Sequence, residues 1–445
     1  MKIVVVGAGQ VGSAVAKDLS ISHEIVVVDF DASRLETLRG QADVMTIEGN
    51  GADLDILVAA GVEQADILIA STDDDRINIL VCATAHAIHQ ELFTIARVTH
   101  TGYLKSWEHS QRAFSVDLML GSDLLVAKSV VQVIFEQMAQ QVAYFADGRV
   151  EMAEFRIPSS CDLAGQAVRN VDIYEGLRYA AVFVDDEMEV VRGDTIIPAD
   201  GRILVIGCTD DVHRFGERIG GKEDSSADRV FLLGGGEISF QIARLLQARK
   251  SSTKIIVQDA DRADELAELL PHSLVLQADP LDPEFLRSEG IHRAAVAIAA
   301  TPHDEKNLLA AQQARYLGAR RVLSVVHEQR YQSLFEHVGI DATFNPRNKV
   351  VEEIIRHTRS GPLAKVTFVE HHRGEVVEVK VPENSPLAAR SVADAMKALP
   401  VEVVIGAILR SGRVIIPTGE TTLEVGDTLV IFASTEVVNE VLEVL

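Results

Sequence analysis

Short, nearly unbroken apolar runs alternate along this chain with stretches in which apolar residues recur every three or four positions. Lys2 to Val6 predicts a strand, and Val11, Ala14, Val15 and Leu19 predict a helix over Gln10 to Leu19. The alternation continues with strands over Glu24 to Val28, Val44 to Ile47, Ile67 to Ala70 and Phe93 to Val98. Helical patterns cover Asp31 to Leu38 and the segment from Asp75 to Ala87. Strands that are apolar throughout, with helices between them, predict a parallel sheet covered on both faces.

The same pattern starts again in the middle of the chain. Gly7-Ala8-Gly9-Gln10-Val11-Gly12 follows the first strand, and Gly234-Gly235-Gly236-Glu237-Ile238-Ser239 follows Val230 to Leu233. Gly49, Gly61, Ala70, Thr72, Asp75 and Asn78 fall on Ala278, Gly290, Ala299, Thr301, Asp304 and Asn307 at one common offset of 229. A shared register of that length marks an internal duplication. Each copy is followed by a helix, Leu124 to Met138 or Val350 to His357, and then by strand-like segments. These are Arg149 to Ile157, Ala180 to Val184, Glu189 to Val191 and Ile203 to Ile206, then Glu375 to Val381, Val403 to Leu409, Val414 to Ile416 and Thr428 to Phe432. The expected layout is large–small–large–small: 1–138 and 229–357 as Rossmann-like α/β units, 139–221 and 358–445 as small α+β modules, and 222–228 as a polar linker.

A strand running through Gly-x-Gly-x-x-Gly into a helix offers bare N–H groups at a positive helix end, where a diphosphate binds. Glycines are needed because a Cβ would hold the diphosphate away. Asp29 ends the second strand, where a carboxylate accepts both ribose hydroxyls of NAD and repels the extra phosphate of NADP. In the second copy Ser239 replaces the third glycine, and Asp259 is the expected ribose acceptor, with Gln258 as the alternative if the register slips by one. Arg97 ends the fifth strand, where a guanidinium can meet phosphate oxygens, against Val325 or Val326 in the second copy. Asp73-Asp74-Asp75 reads as a helix N-terminus favoured by its dipole rather than as a metal site.

Composition narrows the partners. There are 42 Lys and Arg against 66 Asp and Glu, a net charge of -24 that repels nucleic acid and anionic lipid alike. Cys82, Cys161 and Cys208 are scattered, as expected of reduced thiols, and no metal-ligand spacing is present. No run reaches the roughly 18 apolar residues that span a bilayer, and the apolar start passes straight into a glycine turn, so a cytoplasmic location without membrane insertion is expected.

Three further features complete the picture: Thr301 through Asp304-Glu305 to Asn307, Gly339-Ile340-Asp341 with Asn345-Pro346-Arg347, and Ile416-Pro417 to Thr421 with Gly426-Asp427. With the two glycine turns and the strand-rich modules, they make the whole chain resemble the TrkA family, peripheral subunits of bacterial Trk potassium uptake systems. The resemblance implies tandem RCK (KTN) domains, each with its small C-terminal module, in a homo-oligomeric, tetrameric ring on the cytosolic face of the inner membrane beneath a Trk-type potassium channel subunit. It implies NAD(H), with ATP or ADP as alternatives in the same sites. By resemblance the first site takes Gly7, Ala8, Gly9, Gln10, Val11, Asp29, Thr72, Asp73 and Arg97, beside Gly12 of the motif. The second takes Gly234, Gly235, Gly236, Glu237, Ile238, Asp259 and Asp279. The implied function is a non-catalytic, nucleotide-dependent regulator of potassium uptake. The rivals are an NAD-dependent dehydrogenase, for which no Tyr-x-x-x-Lys pair or substrate domain is evident, and a stand-alone nucleotide or redox sensor acting on another protein.

Overall fold

The computed structural model describes residues 1–110, 114–136, 139–171, 174–184, 187–220, 229–249, 251–358, 363–369, 373–400 and 402–445. The expected linker, 222–228, and the end of the first post-sheet helix at Met138 lie outside these residues. Four sheets follow in chain order. The first is built from β1 (Lys2–Val6), β2 (Glu24–Asp29), β3 (Met45–Glu48), β4 (Ile67–Ala70), β5 (Phe93–Val98) and β6 (Leu118–Gly121), in the order β3-β2-β1-β4-β5-β6. The second holds β7 (Ala139–Phe145), β8 (Val150–Arg156), β9 (Leu177–Val184), β10 (Glu187–Val190) and β11 (Arg202–Cys208), in the order β10-β9-β11-β8-β7. The third repeats the first with β12 (Val230–Leu233), β13 (Thr253–Val257), β14 (Ser273–Gln277), β15 (Val296–Ala299), β16 (Arg321–Val325) and β17 (Ala342–Phe344), in the order β14-β13-β12-β15-β16-β17. The fourth holds β18 (Leu363–Val369), β19 (Gly374–Lys380), β20 (Val403–Arg410), β21 (Arg413–Ile415) and β22 (Thr428–Ser434), in the order β18-β19-β22-β20-β21.

The chain divides into two compact units. One comprises Met1–Lys128, Arg229–Val338 and Phe344–Thr358; the other comprises Ser129–Asp228, Gly339–Thr343 and Arg359–Leu445. The first unit carries both copies of the α/β repeat. Strand pairs in its first sheet are parallel, and β1 is buried over Ile3, Val4 and Val5 because helices cover both faces. Strand order reverses between β1 and β4 and again between β12 and β15. A crevice opens at the carboxyl ends of the strands where the order reverses, and the glycine turns follow β1 and β12 there. The two copies also touch directly. The helix Pro346–Thr358, which follows the second sheet, packs along the helix Gln10–Leu19 of the first copy.

The second unit contains both antiparallel sheets. Their inner faces share one core, in which Phe145, Met152, Phe183 and Ile206 meet Val376, Val430 and Phe432. Across it the Arg178 guanidinium donates to the Pro417 carbonyl at 2.8 and 3.1 Å.

The expected strand bounds agree with the observed strands to within a few residues, but four strands were not anticipated: β6, β17, β7 and β18. β6 and β17 have only four and three residues and lead straight into helices, so neither shows a strand period of its own.

The glycine turns are fixed by close packing. Gly7 has φ +104° and its Cβ position lies 3.0 Å from the Ser71 carbonyl carbon and the Thr72 nitrogen; a Cβ on Gly12 would overlap the Gly7 carbonyl oxygen. Gly234, φ +122°, repeats the first condition, whereas the second copy accommodates fully buried Ser239 at the third position. Gly12→Ser is therefore expected to destabilise the first unit by about 2 kcal/mol or more through overpacking. Ser239→Gly is expected to cost no more than about 1 kcal/mol. Urea titration of the two variants beside the parent checks the asymmetry.

Candidate functional site

The helix Gln10–Leu19 begins at Gly9, which offers no side-chain acceptor, and its first intrahelical bond runs from Ser13 N to Gly9 O at 2.9 Å. The N–H groups of its first turn are thus left for a ligand. Nothing approaches a Cβ placed on Gly9 closer than Arg34 Nη1 at 3.9 Å, so the open side of this turn is clear. Asp29 is buried, 6% exposed; its Oδ2 accepts Ala8 N–H at 2.5 Å and its Oδ1 accepts Asp31 N–H at 2.8 Å. The carboxylate thereby joins the end of β2 to the glycine turn. These residues fit a diphosphate with an adjoining ribose: bare amides at a helix end, a glycine facing free space, and an acid at the strand end.

Opposite the turn, the loop after β4 is tied by a fully buried side chain. Asn78 Oδ1 accepts Thr72 N–H at 2.8 Å and Thr72 Oγ1–H at 2.7 Å. Asn78 Nδ2 donates to Thr72 O at 3.0 Å and Arg97 O at 2.9 Å. Asn307 makes the same four bonds in the second copy, to Thr301 (2.7, 2.7 and 2.9 Å) and to Val325 O at 3.0 Å. Val325 is thereby the counterpart of Arg97. The acidic run divides its work. Asp74 caps the helix Asp75–Ile88, Asp75 accepts the Thr99 and His100 N–H groups, and Asp73 stays exposed, 3.9 Å from Arg97. In the second copy Asp304 does what Asp75 does, taking the His327 and Glu328 N–H groups at 2.8 and 2.9 Å.

The second turn departs from expectation at its acid. Gly7 N bonds Val28 O and Gly234 N bonds Ile256 O; Gly49 N bonds Asp29 O and Ala278 N bonds Val257 O. The residue matching Asp29 is therefore Val257, not Asp259 and not Gln258. Asp259 matches Asp31: each is the N-cap of the helix that follows, Ala260–Leu269 or Ala32–Arg39, and Asp259 Oδ1 accepts Arg262 N–H at 2.8 Å. Asp279 accepts Leu281 N–H at 2.9 Å in a local turn after β14. Val257 also explains Gly235 where the first copy has Ala8, since a Cβ there would lie 2.6 Å from Val257 Cγ1. The sequence held this signal. The offset is 227 at the glycine turns and 229 at Gly49, which confines the counterpart of Asp29 to 256–258.

A cavity of about 250 Å³ opens beside the second turn, lined there by Gly236, Glu237, Ile238 and Thr301 and, from the first copy, by Arg97 and Asp123. Arg97 was expected at the first turn. It does bond Thr72 O beside that turn at 3.3 Å, but it also faces the second. Burial pushes the Asp123 carboxyl up to about 6, against a hydrogen bond from Ser122 Oγ at 3.2 Å. The residue that opens each turn's helix reaches across to the other copy. Gln10 Nε2 donates to Glu328 Oε2 at 3.2 Å while its Oε1 accepts from Arg347; Thr101 Oγ1 donates to Glu237 Oε1 at 2.7 Å. Asp123, His327 and Arg347 were not anticipated from sequence, because their part depends on the meeting of the two copies.

The TrkA-N domain family matches residues 3–114 and 230–346, and the TrkA-C domain family matches 152–220 and 376–445. The chain belongs to the TrkA family. Among its relatives, Trk system potassium uptake protein TrkA homolog 1 of Methanosarcina mazei is 33% identical over 451 residues, covering 99% of either chain. Trk system potassium uptake protein TrkA of Azorhizobium caulinodans is 31% identical, covering 97% of this chain and 96% of its own. The crystal structure of the GsuK RCK domain superimposes with a TM-score of 0.60 at 19% identity, covering 100% of this chain and 94% of that one; this member of the TrkA family shares its fold.

Two outcomes follow from these contacts. Asn78→Ala strips partners from three backbone groups and should cost about 3 kcal/mol, as should Asn307→Ala, both read by urea denaturation. The raised Asp123 carboxyl favours folding below the ordinary value of 3.8, and that contribution is lost as pH rises through about 6. Asp123→Asn should remove this step. The difference between parent and variant denaturation midpoints, measured from pH 4 to 7.5, checks it.

Proposed function

We propose that this chain is the nucleotide-binding regulatory subunit of a Trk-type potassium uptake system. It would act on a membrane potassium channel subunit as a homo-oligomeric, tetrameric ring at the cytosolic face, and without catalysis of its own. Residues 1–138 and 229–357 would be the nucleotide units, and 139–221 and 358–445 the C-terminal modules. The observation that carries this reading is the pairing of each glycine turn with the opposite copy, Gln10 with Glu328 and Arg347, and Glu237 with Thr101. A ligand that draws the first-turn amides of either helix alters the residue that holds the two copies together. Nucleotide level then becomes a preference between two packings, and a ligand shifts that equilibrium only by its difference in affinity for them. The names of the relatives support potassium uptake as the process regulated, and a GsuK channel of the same fold has been solved bound to NAD. Among the described residues no helix is long and apolar enough to cross a membrane, which agrees with a separate membrane subunit.

In this reading Gly7 to Gly12, Asp29, Thr72 and Asp73 form the first site, with Arg97 between the sites. NAD(H) is its ligand, and ATP or ADP compete there. NAD, when bound, would supply the diphosphate for the Gly9–Val11 amides and the ribose diol for Asp29. The alternative of a dehydrogenase has less behind it. Asp123, the group in the cavity with a raised carboxyl, owes that to burial, and Asp304 and Glu328 are spent on backbone N–H groups and on Arg347 and Gln10.

The test is potassium flux through the reconstituted Trk membrane subunit with this chain present, under NADH, NAD, ATP and ADP in turn. Flux that differs among nucleotides is expected, and identical flux under all four overturns the proposal. Asp29→Asn should weaken NADH binding about tenfold or more by calorimetry, the worth of a hydrogen bond to a charged group.

A further inference from the structure

The two copies present the same backbone cradle with different side chains at the ribose end. In the first, the buried Asp29 carboxylate lies at the end of β2, and Arg34, near Gly9, is ion-paired to Asp31 at 3.4 Å. In the second, the strand-end position is Val257, an apolar residue 2% exposed, where the first copy has the carboxylate that meets Ala8 N–H. Arg262 stands where Arg34 does, but bonds the turn itself: its Nε donates to Gly235 O at 2.8 Å. Its Nη1 holds Glu265 at 2.6 Å and its Nη2 lies 3.8 Å from Glu237. Asp259, the nearby acid, is spent as the cap of the helix behind Arg262.

An acid at this strand end selects a free ribose diol and rejects a 2′-phosphate by charge; an arginine without the acid accommodates that phosphate. The geometry points to two clefts of different specificity. The first discriminates for NAD(H), while the second admits adenosine nucleotides carrying a 2′-phosphate, NADP(H) in class, with Val257 removing the repulsion and Arg262 supplying the charge. This rests on the reading of the glycine turns as nucleotide sites and adds the ligand class of the second one. Ser239 agrees with it. The third position of the motif governs helix-to-strand packing rather than the ribose, so losing that glycine leaves the cradle in place, and Gly236 remains open, a Cβ placed there lying 3.7 Å from Ala300 O.

The experiment is calorimetric titration of the full chain with NADPH and with NADH, for the parent, Val257→Asp and Arg262→Ala. The parent should bind NADPH at one site per chain, and pre-saturation with NADH at the first cleft should leave that site titratable. Val257→Asp restores the acid and should weaken NADPH at least tenfold relative to NADH. Arg262→Ala, at a residue whose side chain is 26% exposed, should do the same and serves if an acid at buried position 257 prevents folding. A parent that binds NADH but not NADPH overturns the inference and leaves the nucleotide reading standing. So does NADPH binding that neither variant weakens. A parent that binds neither nucleotide overturns both.

Discussion

One buried asparagine per copy holds the edge on which each cleft is built. At the carboxyl ends of β4 and β5 the sheet stops, and the next backbone groups would face a dry crevice without partners. Asn78 answers three of those demands at once, with its oxygen on Thr72 N–H and its nitrogen on the Thr72 and Arg97 carbonyls, and its oxygen also takes the Thr72 Oγ1–H. A buried amide in which both polar atoms are used stabilises, whereas one half used would cost. The glycine turn depends on this edge, because Gly7 lies against the Ser71–Thr72 peptide with no room for a Cβ. Move Thr72 and the turn moves with it. That Asn307 repeats all four bonds shows the constraint belongs to the repeat rather than to one ligand.

From that edge the consequences run outward to the meeting of the copies. Asp75 and Asp304 each use their carboxylates to hold the loop that follows the fifth strand, and those loops carry Thr101 and Glu328 to the opposite turns. Arg347 beside Glu328 holds its carboxyl below the usual range, with Gln10 assisting. The contact is charged and partly exposed, so its net worth is modest. A modest contact suits a switch. A tenfold affinity difference supplies only about 1.4 kcal/mol per site, and a contact much stronger than that could not be overturned by a ligand.

Most of the architecture was legible because its signals are local. β1, β4 and β5, together with the helix Gln10–Leu19, appear at their expected bounds, since each combines an uninterrupted apolar run or a helical period with a clear stop. β6 and β17 escaped notice because each runs almost directly into a helix, with no loop after it to mark its end. Asp123, Arg347 and the true setting of Arg97 escaped because they depend on packing between segments far apart in the chain, 337 residues for Arg347 and Gln10. Asp259 was a different kind of miss. Its acid chemistry and its nearness to a strand end suited the ribose role. Yet Asp31-Ala32 and Asp259-Ala260 are two N-caps opening matched helices, and capping alone explains an aspartate there. Register, not acid chemistry, decides which side chain stands at the strand end, and it places Val257 there.

That register gives the duplication its functional meaning. If both clefts were under the same ligand constraint, an acid would be needed at each strand end, since the ribose contact is the part of the cradle made by a side chain rather than by backbone. The second copy keeps what the backbone supplies: the left-handed glycine at 234, the open glycine at 236 and the asparagine staple. It has exchanged the acid for Val257 and adjusted Gly235 to fit it. Gly234 does not distinguish the clefts, because at φ +122° and with its Cβ position 2.9 Å from Ala300 O any other residue would cost stability with or without a ligand. The difference between the copies therefore comes down to the strand-end side chain, a buried carboxylate at Asp29 in one and apolar Val257 in the other.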